Sequence, residues 1–317
     1  MKILITGCAG FIGYNFSKFL LKKNYKIIGI DNLNNYYSVK LKNDRLNQLL
    51  KFKNFKFYKN NLNDIQNIKK IFYNNKFDCV YHLAAQAGVR YSVISPRKYI
   101  QSNIVGFFNI LELVRVRKIK KFFYASSSSV YGNSKKFPLK ENQILNPTNT
   151  YSLTKKFNED LSKIYNKYYN VNAIGMRFFT VYGEWGRPDM FYSKVLDAAL
   201  KNKILYINNN GYHQRDFTYI QDVNQILFKF LRIKKKLPTL INICSNNPVS
   251  ILRVIKLVER STKKIKFFKR KIQLADVIKT HGDNSLINKL KLVNKFTSIE
   301  KGIEKTINWY KKYNKLK

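Results

Sequence analysis

The sequence predicts an α/β fold: a doubly wound parallel sheet followed by a smaller C-terminal α/β domain. Three observations carry this. Short, almost continuous apolar runs such as KILIT at residues 2–6 read as strands buried on both faces. Helix-length stretches separate them, so strand and helix alternate six times before residue 180. The first strand runs straight into a glycine-rich turn that opens a helix.

In chain order, residues 2–6 form the first strand, and Gly7, Gly10 and Gly13 follow at every third position, enclosing Phe11 and Ile12. A helix is expected from Tyr14 to Lys22. That order aims a helix N-terminus and bare backbone amides at a pyrophosphate. The second strand, Lys26 to Ile30, ends in Asp31 and Asn32, and Asp31 lies 18 residues beyond Gly13. A carboxylate there accepts hydrogen bonds from a ribose diol and repels a 2′-phosphate, which favours NAD over NADP. The third strand, Phe55 to Tyr58, leads into Asn61 and Leu62, candidates for contact with the adenine. The fourth, Asp78 to Ala85, ends in the small residues Ala84 and Ala85 before Gln86, where the backbone can approach a ligand closely.

A helix is expected from Tyr99 to Val116, with Asn103 near its start. The fifth strand, Lys121 to Ala125, delivers Ser126 to Ser129 at the carboxyl edge of the sheet, where ligands bind in such folds. Pro147 precedes a helix that holds Tyr151 and Lys155. Four residues apart, they share one helical face. A nearby cation favours the phenolate, and a phenol tuned that way can take a proton from a substrate hydroxyl. Val171 to Arg177 is the sixth strand, followed by Phe178. Beyond it the texture changes: residues 181–190 read as a loop rich in Gly and Pro, Lys194 to Asn202 as a helix and Arg215 to Ile220 as a strand. Leu240 to Cys244 is expected to return to the main sheet. The expected division is a nucleotide-binding domain at 1–180 and a substrate domain at 181–317.

Composition limits the alternatives. The chain has 317 residues, of which 45% are hydrophobic, enough for about two domains and too apolar for global disorder. No apolar run reaches the length of a membrane span, and the N-terminus enters a strand pattern at once, so neither a membrane nor a secretory destination is expected. Three scattered cysteines form no metal or disulfide pattern, and the three histidines lack metal spacing; reduced, buried thiols in the cytoplasm are expected, with no metal site. The formal charge of +42 invites a nucleic-acid partner, but its lysines are spread along the whole chain among Asn, Ile, Tyr and Phe. Nucleic acid is therefore not expected.

Taken together, the glycine turn, Asp31, HLAA, SSSSVYG, Y-x-x-x-K and RDFTYI resemble, in order and spacing, the extended short-chain dehydrogenase/reductase family, the NAD-dependent epimerases and dehydratases of nucleotide-sugars. HLAAQAGVRYS (82–92), RFFTVYGEWGRPDM (177–190) and RDFTYI (215–220) are similar to the UDP-glucuronate 4-epimerases within it, with Cys8 and Glu184 as departures where Ala and Pro are usual. The resemblance implies a Rossmann-type fold, NAD as cofactor, a UDP-sugar substrate and a homodimer through helices near residues 100–116 and 152–168. It implies Tyr151 as base, Lys155 as its partner on the nicotinamide ribose, and Ser127, with Ser128 in reserve, as the hydroxyl on the reacting oxygen. Gly7, Gly10, Gly13, Asp31, Ala84, Ala85, Gln86, Asn103 and Phe178 would line the cofactor. Thr180 and Arg187 would face a sugar carboxylate and Arg215 the diphosphate. The expected reaction is inversion at C4 through a 4-keto sugar. A 4-epimerase of UDP-glucose or a UDP-N-acetylhexosamine is the alternative, and a non-enzymatic NAD- or polyanion-binding protein a more distant one. Related decarboxylases and 4,6-dehydratases carry an acid where this chain has Ser128 and Ser129, which favours epimerisation.

Overall fold

In the computed structural model, which describes residues 1–272 and 277–316, seven strands form one parallel sheet. β1 (Lys2–Thr6), α1 (Phe11–Leu21), β2 (Lys26–Asp31), α2 (Val39–Leu50), β3 (Phe55–Lys59), α3 (Ile65–Tyr73) and β4 (Cys79–His82) build its first half. Two short helices, α4 (Val89–Ile94) and α5 (Pro96–Tyr99), lead into α6 (Gly106–Val116), followed by β5 (Phe122–Ser127), α7 (Thr150–Tyr168) and β6 (Ala173–Phe178). With a later strand, β10 (Leu240–Ile243), at one edge, the strand order β10-β6-β5-β4-β1-β2-β3 reverses direction between β1 and β4. That reversal opens the crevice at the carboxyl ends where nucleotides bind.

The apolar runs form strands because both faces are covered. Ile3, Leu4 and Ile5 of β1 are fully buried, as are Val80 and Tyr81 of β4. Leu4, Ile30, Val80 and Phe122 pack with Ile68 and Phe72 of α3 and Phe107, Ile110 and Leu111 of α6 in one cluster. Each such side chain contributes roughly 1.5–3 kcal/mol when removed from water.

Of the boundaries that differ from expectation, three bear on the site. The helix expected over 99–116 is interrupted: Ile100–Val105 is wound as a π-helix. The wider turn swings Asn103 inward, where it is fully buried. Ser126 and Ser127 belong to β5 itself rather than following it, and only Ser128–Tyr131 turn away, as a 3-10 helix. The segment read as a loop from residue 181 begins inside a short strand, β7 (Thr180–Tyr182).

Two compact units divide the chain: Met1–Gly132, Ile144–Phe178 and Leu227–Ile241 in one, Asn133–Gln143, Phe179–Ile226 and Asn242–Lys317 in the other. In the second, after β7, lie α8 (Phe191–Lys201), β8 (Leu205–Asn208) and β9 (Gln214–Tyr219). α9 (Ile220–Arg232) and β10 (Leu240–Ile243) each run from one unit into the other. β11 (Pro248–Ser250), α10 (Ile251–Arg260), β12 (Phe267–Arg270), α11 (Ser285–Lys289) and α12 (Ile299–Tyr313) complete the chain. β9 pairs antiparallel with β11 and parallel with β7. β8 and β12 form a parallel pair that the sequence reading did not anticipate, because four-residue runs such as FFKR carry almost no periodicity.

Candidate active site

The first unit holds the expected nucleotide residues at one edge of its sheet. Gly7 has a φ of +71°, and a Cβ there would lie 2.7 Å from the Ala84 nitrogen. A Cβ on Gly13 would lie 2.1 Å from the Gly7 carbonyl oxygen. The Gly10 amide donates to that same oxygen at 2.9 Å. The three glycines therefore fold onto one another, and Leu83 and Ala84, just after β4, lie against Gly7. Gly10 caps α1 without a side-chain hydrogen bond, so no side chain is spent on the amides of its first turn.

Asp31, at the end of β2, accepts from the Ala9 amide at 3.0 Å and the Leu33 amide at 2.8 Å. It braces the glycine turn and keeps lone pairs for a ribose. Asn32 and Asn61 are exposed, and each accepts from an amide two residues on. Phe11, Leu62 and Phe178 are buried, while Ile12 is half-buried. Leu62 packs into the sheet core, and its carbonyl accepts from Asn109 at 2.8 Å.

Asn103 is a bracket rather than an open wall. Its oxygen accepts from the Gln86 amide at 2.8 Å, and its amide donates to the Gln86 carbonyl at 3.0 Å and to Thr154 Oγ1 at 3.1 Å. It ties the loop carrying Ala84, Ala85 and Gln86 to the helix carrying Tyr151. His82 is buried, with its Nδ1 3.0 Å from Thr6 Oγ1. Burial first, and then the charge of Lys155, push its pKa down to about 3, so it stays neutral.

α7 begins with a capping box between Asn149 and Ser152 that places Tyr151 in the first turn. The Lys155 ammonium sits 5.9 Å from the centre of the Tyr151 ring and donates to the Ala125 carbonyl at 2.7 Å. The edge of Tyr99 lies against Tyr151, with centroids 6.0 Å apart. Burial pulls the Lys155 pKa down to about 7, and the neighbouring Glu159 opposes that fall.

The structure separates the four serines. Ser126 Oγ is committed to Glu159 Oε1 at 2.5 Å. Ser127 Oγ shares a hydrogen bond with Ser129 Oγ at 3.1 Å and accepts from the Ser129 amide at 3.2 Å. Of the four, Ser126 is thus tied to a charged group, while Ser127 and Ser129 bond each other. Sequence reasoning missed Glu159, although it stands one further helical turn beyond Lys155.

In the second unit, Thr180 opens β7 opposite Phe217 of β9. The Arg187 fork is paired with Asp189, through Nε at 3.0 Å and Nη2 at 2.5 Å. Arg215 Nη1 donates to the Gln214 and Ile278 carbonyls at 2.8 and 2.9 Å. Glu184, the departure noted above, accepts from the Tyr219 hydroxyl at 2.6 Å. Among the described residues no group of His, Cys, Asp or Glu is arranged to hold a metal ion.

A doubly wound sheet with a glycine cradle, an acid at the end of β2 and a Tyr-x-x-x-Lys helix beside β5 defines a nicotinamide-dependent enzyme of the extended short-chain dehydrogenase/reductase class. The cradle that side chains would fill, and the helix end with no side-chain cap, fit NAD. The chain belongs to the family described as GDP-mannose 4,6 dehydratase, whose model matches residues 4–313. It is 40% identical to the UDP-glucuronate 4-epimerase of Thermodesulfobacterium geofontis over 97% of this chain and 95% of that one. It is also 40% identical to the CapI protein of Staphylococcus aureus, over 99% of this chain and all of that one. The UDP-glucuronic acid 4-epimerase of Bacillus cereus, crystallised with UDP-glucuronic acid and NAD, superimposes with a TM-score of 0.92 at 33% identity, covering 99% of this chain and 100% of that one.

Proposed function

We propose that this chain interconverts UDP-glucuronate and UDP-galacturonate by NAD-dependent inversion at C4. One observation carries the reading: the Tyr151–Lys155 pair stands beside a strand end made of serine alone. It does so in a chain 40% identical along nearly its whole length to a UDP-glucuronate 4-epimerase. Residues 128 and 129 are serines, where related dehydratases and decarboxylases carry an acid, which favours epimerisation over elimination.

Gly7, Gly10, Gly13 and Asp31 would hold the cofactor, and Lys155 its nicotinamide ribose. When bound, NAD would supply a reversible hydride acceptor. Tyr151 removes the C4 hydroxyl proton as the carbonyl forms, and returns it after the sugar has presented its other face. Lys155 stabilises the phenolate, and Ser127 donates to the C4 oxygen. Arg215 retains the diphosphate while the sugar turns. The 4-keto sugar is a β-keto acid that loses CO₂ when its C–C bond aligns with the carbonyl π system. Thr180 and Arg187 hold the carboxylate out of that alignment.

The pairing of Arg187 with Asp189 supports a second reading, a 4-epimerase of a neutral UDP-hexose, which would leave that ion pair undisturbed. Incubation with UDP-glucuronate, UDP-glucose and UDP-N-acetylglucosamine, each without added NAD, followed by analysis of the sugar at C4, decides between them. Conversion of UDP-glucuronate alone supports the first reading. Conversion of the neutral sugars alone removes it.

We also infer a homodimer. Leu153, Phe157 and Ile164 on α7, and Ile100 and Phe108 on the neighbouring helical stretch, are large apolar side chains left 41–56% exposed. Such a stripe on two helices suits a second copy of itself. Three buried free thiols suit a reducing, cytoplasmic compartment. Among the described residues no helix is long and apolar enough to cross a membrane.

A further inference from the structure

Glu159 and Arg177 form an ion pair, 0% and 1% exposed, for which the reaction has no direct use. Desolvating two charges is costly, and apolar residues of similar volume often serve stability as well. The geometry supplies another role. Glu159 Oε1 accepts from Ser126 Oγ at 2.5 Å and from Arg177 Nε at 2.8 Å, and Oε2 accepts from Arg177 Nη2 at 2.7 Å. Arg177 Nη1 donates to the Tyr131 hydroxyl at 2.8 Å, and its guanidinium lies 4.8 Å from the centre of that ring. Ser126 and Tyr131 flank Ser127–Val130, so the pair grips the serine segment at both ends. Ser126 and Arg177 are direct partners in the β5–β6 register, which sets the grip where the strands end. The same carboxylate lies one helical turn from Lys155, whose ammonium is bonded to the carbonyl just before Ser126.

We propose that Glu159 and Arg177 are a positioning pair for the epimerisation: they clamp the Ser127–Val130 turn between Ser126 and Tyr131, and Glu159 supplies the negative charge beside Lys155. The proposal rests on the functional reading above. Facing this part of α7 are Tyr151, Glu159 and Asp160 from the helix itself, Tyr99 from α5, His82 from β4, Tyr124 from β5, Tyr131 from the 3-10 turn and Arg177 from β6. His82 is neutral, burial raises the Tyr124 phenol, and Arg177 is cationic. The charge that opposes the desolvation of Lys155 is therefore that of Glu159.

Glu159→Gln alone would strand a buried guanidinium, so the test is the double variant Glu159→Gln/Arg177→Met, which removes both charges at similar volume. Folding is checked by circular dichroism. With UDP-glucuronate, kcat falls about tenfold or more while KM stays within about twofold. The alkaline limb of kcat moves to lower pH, because Lys155 loses its proton earlier. Without any sugar, the phenolate absorbance of Tyr151 is read as the difference between each protein and its Tyr151→Phe counterpart. It titrates about one unit higher in the double variant. A folded double variant with wild-type kcat, alkaline limb and phenolate titration overturns the proposal. If the wild type itself leaves UDP-glucuronate unchanged, the functional reading has failed, and the phenolate titration alone decides the role of the pair.

Discussion

Lys155 shows how burial and function meet in one side chain. Its pKa of about 7 lies below its ordinary 10.5, so between those values the native protein binds fewer protons than the unfolded chain. Unfolding then takes up a proton, and this residue makes stability rise with pH across that window. Below pH 7 both states are protonated, the slope vanishes, and the cost of the buried charge is fully present. Lys155→Met should remove this component and be relatively more stable than wild type at pH 6 than at pH 9. Parallel stability curves in denaturant titrations would refute the assignment. Arg187 carries the second prediction at this scale. Arg187→Ala should raise KM for UDP-glucuronate about tenfold or more and let a decarboxylated pentose product appear. Unchanged KM and product would remove Arg187 from the carboxylate site. Its bond to Asp189 was not legible from the motif, because a spacing of two along the chain does not say where the guanidinium turns.

Among the elements, the glycine turn was the most legible, since only glycine tolerates the contacts made there. Gly13→Ala drives a Cβ into the Gly7 carbonyl, a backbone atom that cannot step aside. NAD affinity should fall about tenfold or more, measured by calorimetry with the cofactor removed and added back. Wild-type affinity would mean that the turn relaxes at no cost. The π-helical turn at Ile100–Val105 was not legible. Its apolar spacing is compatible with an ordinary helix, and the widening follows from the fit of Asn103 between Gln86 and Thr154. Gly106 contributes, because a Cβ there would meet Leu62 at 3.1 Å.

At the scale of the whole molecule, the exposed stripe on α7 makes a prediction about assembly. Leu153→Glu/Phe157→Glu places two charges on that stripe, 56% and 42% exposed, without entering the core. Light scattering should show a dimer for the wild type and a monomer for the variant. A monomeric wild type would leave the stripe without the partner assigned to it. The formal charge of +42 says little about the chemistry of any one site. Charge spread along a chain sets solubility and weak attraction, whereas chemistry needs groups brought together at one place.

The alternation of strands and helices in the first 180 residues, the nucleotide turn and the Tyr151–Lys155 pair were determined by the sequence alone. Each depends on spacings of a few residues, within which local geometry dictates what meets what. Tertiary structure alone decided that Ser126 belongs to Glu159, that Arg177 reaches Tyr131, and that Asn103 joins the loop at Gln86 to α7. Those contacts link residues 17 to 51 positions apart, and at such distances only the register of the folded sheet determines which groups are neighbours.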